Sequence, residues 1–299
     1  MLEKNMTTFV TYKRAEGCAQ RTIRDYERVL SHFIAWCKQK KIVRLEECDR
    51  SHIREYIADL RDKWSDGTVG IYIRHLRAFL RWMHLEGVVD SNLALAIKQP
   101  RRVIREEFPP TLEELELLLS ICTDDGWALR DRAIILLMAT TGIRRGEFCQ
   151  LNRHSIAIED NVGWFKVYSG KGHQYRYAFL TDEATEALLE YLNSRDDDSD
   201  ALFLSNRGKT LGYDGIYFLI RRRAEQAGLE AARFHPHIFR KFFATAWIEN
   251  GGDEYRLMKT GGWSDHSLLE VYVRLARRRD LQKAHQKYAP RLNIAPKED

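Results

Sequence analysis

The sequence predicts a two-domain protein that is mainly α-helical and carries one small antiparallel β-sheet. Apolar residues recur at every third or fourth position through most of the 299 residues, which is the spacing of one face of a helix. The pattern changes to alternation only between 155 and 180, around a Gly-Lys-Gly turn, as expected of a hairpin. A charged, proline-containing stretch at 97–109 is predicted to be a linker, and a chain of this length commonly forms two domains.

Residues 1–96 are predicted to form an all-helical bundle. Apolar residues follow helical spacing strongly at 23–37 and at 69–83, where the second pattern ends before a glycine. Weaker helical patterns cover 7–16 and 50–62.

This first third of the chain is also basic. Residues 1–107 contain 21 Lys and Arg against 15 Asp and Glu, whereas residues 108–299 contain 27 against 28. Arg74, Arg77 and Arg81 share one helical face, opposite the apolar residues of the same helix. They are either a solvated surface or a face that follows the phosphates of a nucleic acid.

Residues 110–299 are predicted to form the second, mixed domain. It begins with a capping box, Thr111-x-x-Glu114, and a helix near 128–139 stops at Gly142. Strands are predicted at 155–158, 164–168 and 175–180, and helices at 182–193, 213–227, 236–249, 254–259 and 266–277.

Several classes of protein and site are not supported. The five cysteines form no Cys-x-x-Cys pair, no apolar run is long enough for a membrane span, and the N-terminus lacks a secretory pattern, so we expect a cytoplasmic protein. Gly170-Lys171 does not fit a P-loop, and His235 with His237 lacks a third metal ligand at a suitable spacing. We therefore expect no metal and no cofactor.

Four separated segments of the second domain place polar residues where a purely structural element does not need them. They are Arg144 with Glu147, Lys171 between two glycines, His237 with Arg240, and Trp263 followed by Tyr272. Taken singly, each has a structural explanation: a surface ion pair, a solvated turn residue, a histidine at a helix terminus and a core aromatic residue. Their conjunction in this order and spacing is hard to explain by chance.

In these segments the chain resembles the tyrosine site-specific recombinases, the family of phage integrases and Xer-type recombinases. The similar motifs are TGIRRGE at 141–147, GKG at 170–172, HIFR at 237–240, and GWSD at 262–265 followed by Tyr272. Residues 68–92 are similar to the last helix and exit of the family's core-binding domain. Trp263, Lys241 and Leu93 stand where the family commonly has His, His and Pro.

The resemblance implies an N-terminal, all-helical, SAM-like core-binding domain and a C-terminal α+β catalytic domain. It also implies a role for each site residue. Arg144 and Arg240 would bind the phosphate oxygens, His237 would contact the phosphate and assist proton movement, Trp263 would donate a further hydrogen bond, Lys171 would protonate the leaving 5′ oxygen, Tyr272 would attack phosphorus, and Glu147 would orient Arg144.

The partners implied by the resemblance are double-stranded DNA and further copies of the chain. Four protomers would pair two DNA sites and exchange strands through a Holliday junction, without metal or ATP, and accessory proteins are possible. The tail at 277–299 is either a frayed terminus or, as the resemblance implies, a segment that would dock on a neighbouring protomer. Two alternatives stay open at this point: a monomeric enzyme similar to type IB topoisomerases, and a DNA-binding regulator without catalytic activity.

Overall fold

The computed structural model describes residues 1–98, 107–123, 127–159, 162–168 and 175–288. The chain divides into two compact units, Met1–Arg105 and Glu106–Asp299. This division falls inside the segment 97–109 that the sequence predicts as a linker. Ile97, the first residue of that segment, is instead buried in the core of the N-terminal unit.

The N-terminal unit is helical throughout its described residues. Its helices are α1 (Leu2–Ala15), α2 (Gln20–Gln39), α3 (Arg50–Lys63) and α4 (Asp66–Leu85), with single 3₁₀ turns at Leu45–Glu47 and Leu93–Ala96. Helix α1 begins five residues before the predicted start at 7 because Leu2 packs into the core and is buried.

The core of this unit is aromatic. Phe9 of α1, Phe33 of α2 and Phe79 of α4 are completely buried, and Phe9 contacts Phe79 edge-on at 5.4 Å between ring centres. Burial of such large apolar side chains is the main stabilising contribution to a bundle of this size. The polar side of α4 carries the predicted basic face, where Arg74 and Arg81 are exposed and Arg77 is partly exposed.

Along the sequence of the C-terminal unit, helices precede and follow a short three-stranded sheet. Its elements are α5 (Leu112–Ser120), α6 (Ala128–Thr141), α7 (Arg145–Phe148), β1 (Ile156–Glu159), β2 (Val162–Tyr168), β3 (Tyr175–Phe179), α8 (Asp182–Asn193), α9 (Tyr213–Gln226), α10 (Pro236–Glu249), α11 (Glu254–Gly261) and α12 (Ser267–Tyr288). The predicted capping box is present, because the Thr111 hydroxyl accepts from the backbone N–H of Glu114 at 3.2 Å.

Helix α6 lies at the centre of the C-terminal core. It is buried around nearly its whole circumference and packs against α8 and α10. It also carries a completely buried carboxylate, Asp131, which accepts from Arg130, Arg222 and Arg223 at 2.7–2.9 Å. Because Arg222 and Arg223 belong to α9, this ionic network joins α9 to α6.

The sheet has the strand order β1-β2-β3, and both pairs are antiparallel. Along β2 and β3, exposed side chains alternate with buried ones, so the outer face carries aromatic residues while Arg176 and Ala178 point inward. The hairpin prediction is confirmed for both strands. Lys171, which lies between these strands in the sequence, is outside the described residues.

The last helix is longer than predicted. The sequence pattern indicates a helix over 266–277, whereas α12 extends from Ser267 to Tyr288. Much of the predicted tail at 277–299 is therefore helix, and the rest lies outside the described residues. Across the described part of the chain, no helix is both long and apolar enough to cross a membrane.

Candidate active site

Arg144 is placed by a sharp turn at the end of α6. Gly142 has φ +59°, in the left-handed region that favours glycine, and ends α6. Arg144 is then the N-cap residue of α7. Nη1 of Arg144 donates to Oε1 of Glu147 at 2.8 Å, and its backbone N–H donates to Oε2 at 2.9 Å. The predicted pairing of Arg144 with Glu147 is therefore present in the structure, and 43% of the Arg144 side chain stays exposed.

Arg176 binds the same carboxylate from the opposite side. Its Nη1 and Nη2 donate to the two oxygens of Glu147 at 3.0 and 2.7 Å, in a bidentate arrangement. Burial raises the pKa of Glu147, but hydrogen bonds and charge from Arg176 and Arg144 outweigh this and hold the pKa below its usual value. Glu147 is therefore a carboxylate at neutral pH.

The last turn of α11 gathers three arginines. The backbone carbonyls of Thr260, Gly261 and Gly262 are consecutive, and each accepts from a different guanidinium. Arg176 donates to the first at 2.8 Å, Arg240 to the second at 2.6 Å, and Arg144 to the third. The carbonyls at a helix C-terminus carry partial negative charge, so they are suitable partners for cations.

Arg240 is the most deeply buried of these arginines, with 3% of its surface exposed. Its Nη1 donates to the carbonyl of Gly142 at 2.5 Å as well as to that of Gly261. Among the described residues, no atom accepts a hydrogen bond from its buried Nη2. Burial, followed by the charges of Arg144 and Arg176, lowers the pKa of Arg240 to about 9, so the group is still a cation at pH 7.

Trp263 connects Arg240 to Tyr272. The guanidinium carbon of Arg240 lies 3.6 Å from the centre of the Trp263 ring, and the rings of Trp263 and Tyr272 meet edge-on at 5.8 Å. Both aromatic side chains are buried, each with 7% of its surface exposed. They belong to a separate small core that also contains Phe243 of α10.

The environment of the Tyr272 hydroxyl has opposing effects on its acidity. Burial raises the pKa of Tyr272, while the charge of Arg240, a hydrogen bond from Trp263 and the charge of Arg144 lower it, and burial predominates. The tyrosine is protonated at neutral pH and lies among groups that stabilise its anion.

His237 lines an open cavity of about 400 Å³ together with Arg144 and Arg240. Desolvation, followed by the charges of Lys241 and Arg240, lowers the pKa of His237 to about 4. The His237 side chain is exposed to solvent, so its desolvation is incomplete. The charges of Lys241 and Arg240 lower its pKa in the same direction as desolvation does. The imidazole is neutral at pH 7.

Lys241 follows Arg240 on α10 and pairs with the start of the C-terminal unit. Its Nζ donates to Oε2 of Glu107 at 2.6 Å, and 13% of the lysine side chain is exposed. The hydrogen bond and charge of Lys241 hold the pKa of Glu107 below its usual value. Lys241 is thus held beside His237 by a carboxylate.

The structure brings together most of the residues that the sequence singles out in the second domain. Those that share the site are Arg144, Glu147, His237, Arg240, Trp263 and Tyr272. Lys171 lies outside the described residues. The predicted basic residues Arg74, Arg77 and Arg81 belong to the N-terminal unit. Nowhere in the described ranges do three potential metal-ligating side chains meet.

Sequence reasoning missed Arg176. The signal available was the alternation along β3, which places an arginine on the inward face of a strand that follows the Gly-Lys-Gly turn. An inward-facing arginine needs a buried partner. Its partner Glu147 is 29 residues away in the chain, and nothing in the sequence indicates that the two meet.

Comparison with known proteins extends over both units. The phage integrase family profile matches residues 111–279, and the profile of the phage integrase N-terminal SAM-like domain matches residues 6–87. The tyrosine recombinase XerD of Ralstonia nicotianae is 30% identical over 290 residues, covering 92% of this chain and 90% of that protein. XerD of Oceanobacillus iheyensis is 27% identical and covers 97% of this chain and 100% of that protein.

Solved structures share the fold. A lambda integrase (75-356) dimer bound to a COC′ core site aligns with a TM-score of 0.73 at 15% identity, covering 99% of both chains. The XerH site-specific recombinase bound to a palindromic difH substrate aligns with a TM-score of 0.72 at 20% identity, covering 91% of this chain and 82% of that chain. The profile match over 111–279, together with the XerD relatives, shows that the chain belongs to the phage integrase family and is a tyrosine site-specific recombinase.

Proposed function

We propose that this protein cleaves and rejoins double-stranded DNA at specific sites through a covalent 3′-phosphotyrosine formed at Tyr272. The observation that carries the proposal is the buried Nη2 of Arg240, which has no hydrogen-bond acceptor among the described residues. A buried, charged donor without a partner is costly, commonly by several kcal/mol. An anion in the adjoining cavity would satisfy it, and a DNA phosphate is the anion that the family acts upon.

The arginines account for binding and for stabilising the transition state. Cleavage of a phosphodiester builds negative charge on the non-bridging oxygens. Arg144, which is partly exposed, and Arg240, with its free nitrogen, both reach the same cavity. Guanidinium groups bind phosphate oxygens through bidentate hydrogen bonds, so these two residues would hold the scissile phosphate.

The covalent step would begin at the Tyr272 hydroxyl. Its oxygen attacks phosphorus, the bond from phosphorus to the 5′ oxygen breaks, and a 3′-phosphotyrosine and a 5′-hydroxyl are formed. His237, which is neutral at pH 7, would accept the tyrosine proton, and Lys171 would protonate the leaving 5′ oxygen. The bond energy is kept in the phosphotyrosine, so attack by a partner strand's 5′-hydroxyl rejoins DNA without ATP or a metal ion.

The proposed assembly follows the family. The N-terminal unit would clamp the DNA through Arg74, Arg77 and Arg81, and four protomers would pair two sites and exchange strands through a Holliday junction. The tail at 277–299 would dock on a neighbouring protomer, with accessory proteins possible. The site of action would be the cytoplasm, and integration, excision and resolution are the candidate outcomes.

A nicked suicide substrate tests the proposed function. Duplex DNA from the protein's own locus is incubated with the protein in EDTA and without ATP, and the products are resolved on a denaturing gel. We expect a nuclease-sensitive covalent species for the native protein and none for Tyr272→Phe. DNA binding without any covalent species would instead favour a regulator, and relaxation of supercoiled plasmid by a monomer would favour a topoisomerase.

A further inference from the structure

Arg176 is held on every side by the groups around the proposed phosphate site. It lies on the inward face of β3 and its side chain is 10% exposed. Nε donates to the Thr260 carbonyl at 2.8 Å, and Nη1 and Nη2 donate to the two oxygens of Glu147. One side chain thus joins the hairpin strand, the turn of α7 and the last turn of α11.

Arg144 and Arg176 share Glu147 unequally. Arg176 binds the carboxylate through two nitrogens, whereas the Arg144 side chain uses one. Because a bidentate arginine is the stronger partner, most of the charge of Glu147 is compensated by Arg176. The guanidinium of Arg144 is correspondingly less bound by that carboxylate, and it stays 43% exposed.

A glycine, Gly262, leaves room for the Arg176 side chain. Gly262 has φ +69°, and a Cβ at this position would lie 3.0–3.1 Å from the Arg176 side chain. The Gly262 carbonyl is the group that accepts from Arg144. The position of Arg176 and the direction of the Arg144 acceptor are therefore coupled through a single residue.

We propose that Arg176 is a positioning residue for the recombinase reaction, which compensates Glu147 so that Arg144 is free to bind the scissile phosphate. The inference rests on the proposed function. Without Arg176, the buried Glu147 would have Arg144 as its nearest cation among the described residues. Arg144 would then be drawn into the bidentate pairing and away from the phosphate.

The first test is the single-turnover cleavage rate of Arg176→Met on the suicide substrate. We expect a loss of about 100-fold, the size typical of a displaced catalytic group, with DNA affinity maintained because contacts along the backbone dominate it. A rate equal to that of the native protein would overturn the proposal.

The second test asks whether the loss acts through the charge of Glu147. Glu147→Gln removes this charge, so we expect the double variant Arg176→Met/Glu147→Gln to cleave about 10-fold faster than Arg176→Met, as coupled residues do in a double-mutant cycle. A purely structural role for Arg176 predicts that the two losses add. Additive losses would therefore overturn the proposal.

A conservative variant and a matched control complete the design. Arg176→Lys keeps a charge but loses the fork, so its rate should lie between those of the native protein and Arg176→Met, and a native rate would contradict the bidentate argument. Arg195 is a matched arginine, 4% exposed and bidentate with Asp197. Arg195→Met should lower the melting temperature without slowing cleavage, and an equal slowing would overturn the proposal.

The two proposals fail in distinguishable ways. If the native protein forms no covalent complex, the proposed function fails, whatever Arg176 does. If the native protein cleaves and Arg176→Lys folds yet cleaves at the native rate, only the positioning role fails. The Arg176→Lys arm also keeps the proposal testable if Arg176→Met does not fold.

Discussion

The guanidinium of Arg240 lies over the Trp263 ring, with its central carbon 3.6 Å from the centre of the indole ring. This contact fixes an arginine whose Nη1 is already bound by two carbonyls. Nη2, for which the described part of the chain provides no acceptor, is available to an anion. A cation–π contact in a buried setting is worth about 2 kcal/mol, so the indole contributes to holding Arg240 in place.

Substitutions of Trp263 should separate its two contacts. Trp263→Phe keeps an aromatic ring against Arg240 but removes the indole N–H, whose hydrogen bond lowers the pKa of Tyr272, so we expect the cleavage rate to fall by about 100-fold, the lower end of what single catalytic groups contribute. Trp263→Ala removes both contacts and opens a cavity, which should also cost about 3–5 kcal/mol of stability. Single-turnover cleavage and chemical denaturation measure the two effects. Equal rates for Trp263→Phe and Trp263→Ala would contradict this account.

Gly262 offers a matched comparison with Gly228. Both have φ near +70°, but a Cβ at Gly262 would press on Arg176, whereas a Cβ at Gly228 would meet nothing within 4 Å. Each change to Ala should cost about 1 kcal/mol through the backbone. Only Gly262→Ala should slow cleavage, because it displaces Arg176 and the carbonyl bound by Arg144. If Gly228→Ala slows cleavage as much, the loss does not come from the arginines.

The pKa of His237 should lie well below the usual value for histidine. The structure holds it at about 4, against about 6.5 in an unfolded chain. Because the pKa of His237 is lower in the folded state, the unfolded state binds more protons between pH 6.5 and 4. The contribution of His237 to the free energy of unfolding is therefore complete above pH 6.5 and is lost as the pH falls through that range. Lys241→Met should raise the pKa of His237.

Titration by NMR measures this value, with the His237 signal assigned from a His237→Gln variant. Glu107→Gln provides the opposite change, because Glu107 raises the pKa of His237. Binding of the DNA phosphate should raise the pKa as well, since an adjacent anion favours imidazolium. A pKa near 6.5 in the free protein, unchanged in Lys241→Met, would disprove the electrostatic account of this residue.

Asp131 should matter for stability rather than for chemistry. It is completely buried and accepts from Arg130, Arg222 and Arg223. Asp131→Ala leaves buried cations without their carboxylate, so we expect a loss of about 3–5 kcal/mol in the unfolding of the C-terminal unit. Asp200→Ala is the control, because its pair with His154 is 81% exposed on both sides and should contribute no measurable stability. Similar unfolding curves for the two variants would contradict this view.

Much of the fold follows from local sequence patterns. The bounds of α8 and α10 were predicted to the residue, because their periodicity agrees with clear start signals: Thr181 at the cap of α8 and Pro236 at the first position of α10. The end of α12 was not predicted. Residues 277–288 are rich in charge, and their only apolar residues at helical spacing are Leu281, Ala284 and Tyr288, a sparse signal that the sequence prediction did not use for the helix that continues to Tyr288.

The sequence predicts which residues belong to the candidate site, but not how they are arranged in space. Motifs identify Arg144, His237, Arg240 and Tyr272 because their types and spacing belong to a family. The gathering of three arginines on the consecutive carbonyls of α11 depends on backbone groups, which every residue has and no sequence pattern marks. Arg176 was missed for the same reason, since its partners come from distant parts of the chain.

The central claim is that Tyr272 becomes covalently attached to DNA. Mass spectrometry of the trapped complex, after digestion with nuclease and protease, tests it most directly. We expect a nucleotide adduct on Tyr272, through the 3′ phosphate of the cleaved strand. An adduct on any other residue, or a covalent complex that persists in Tyr272→Phe, would contradict it.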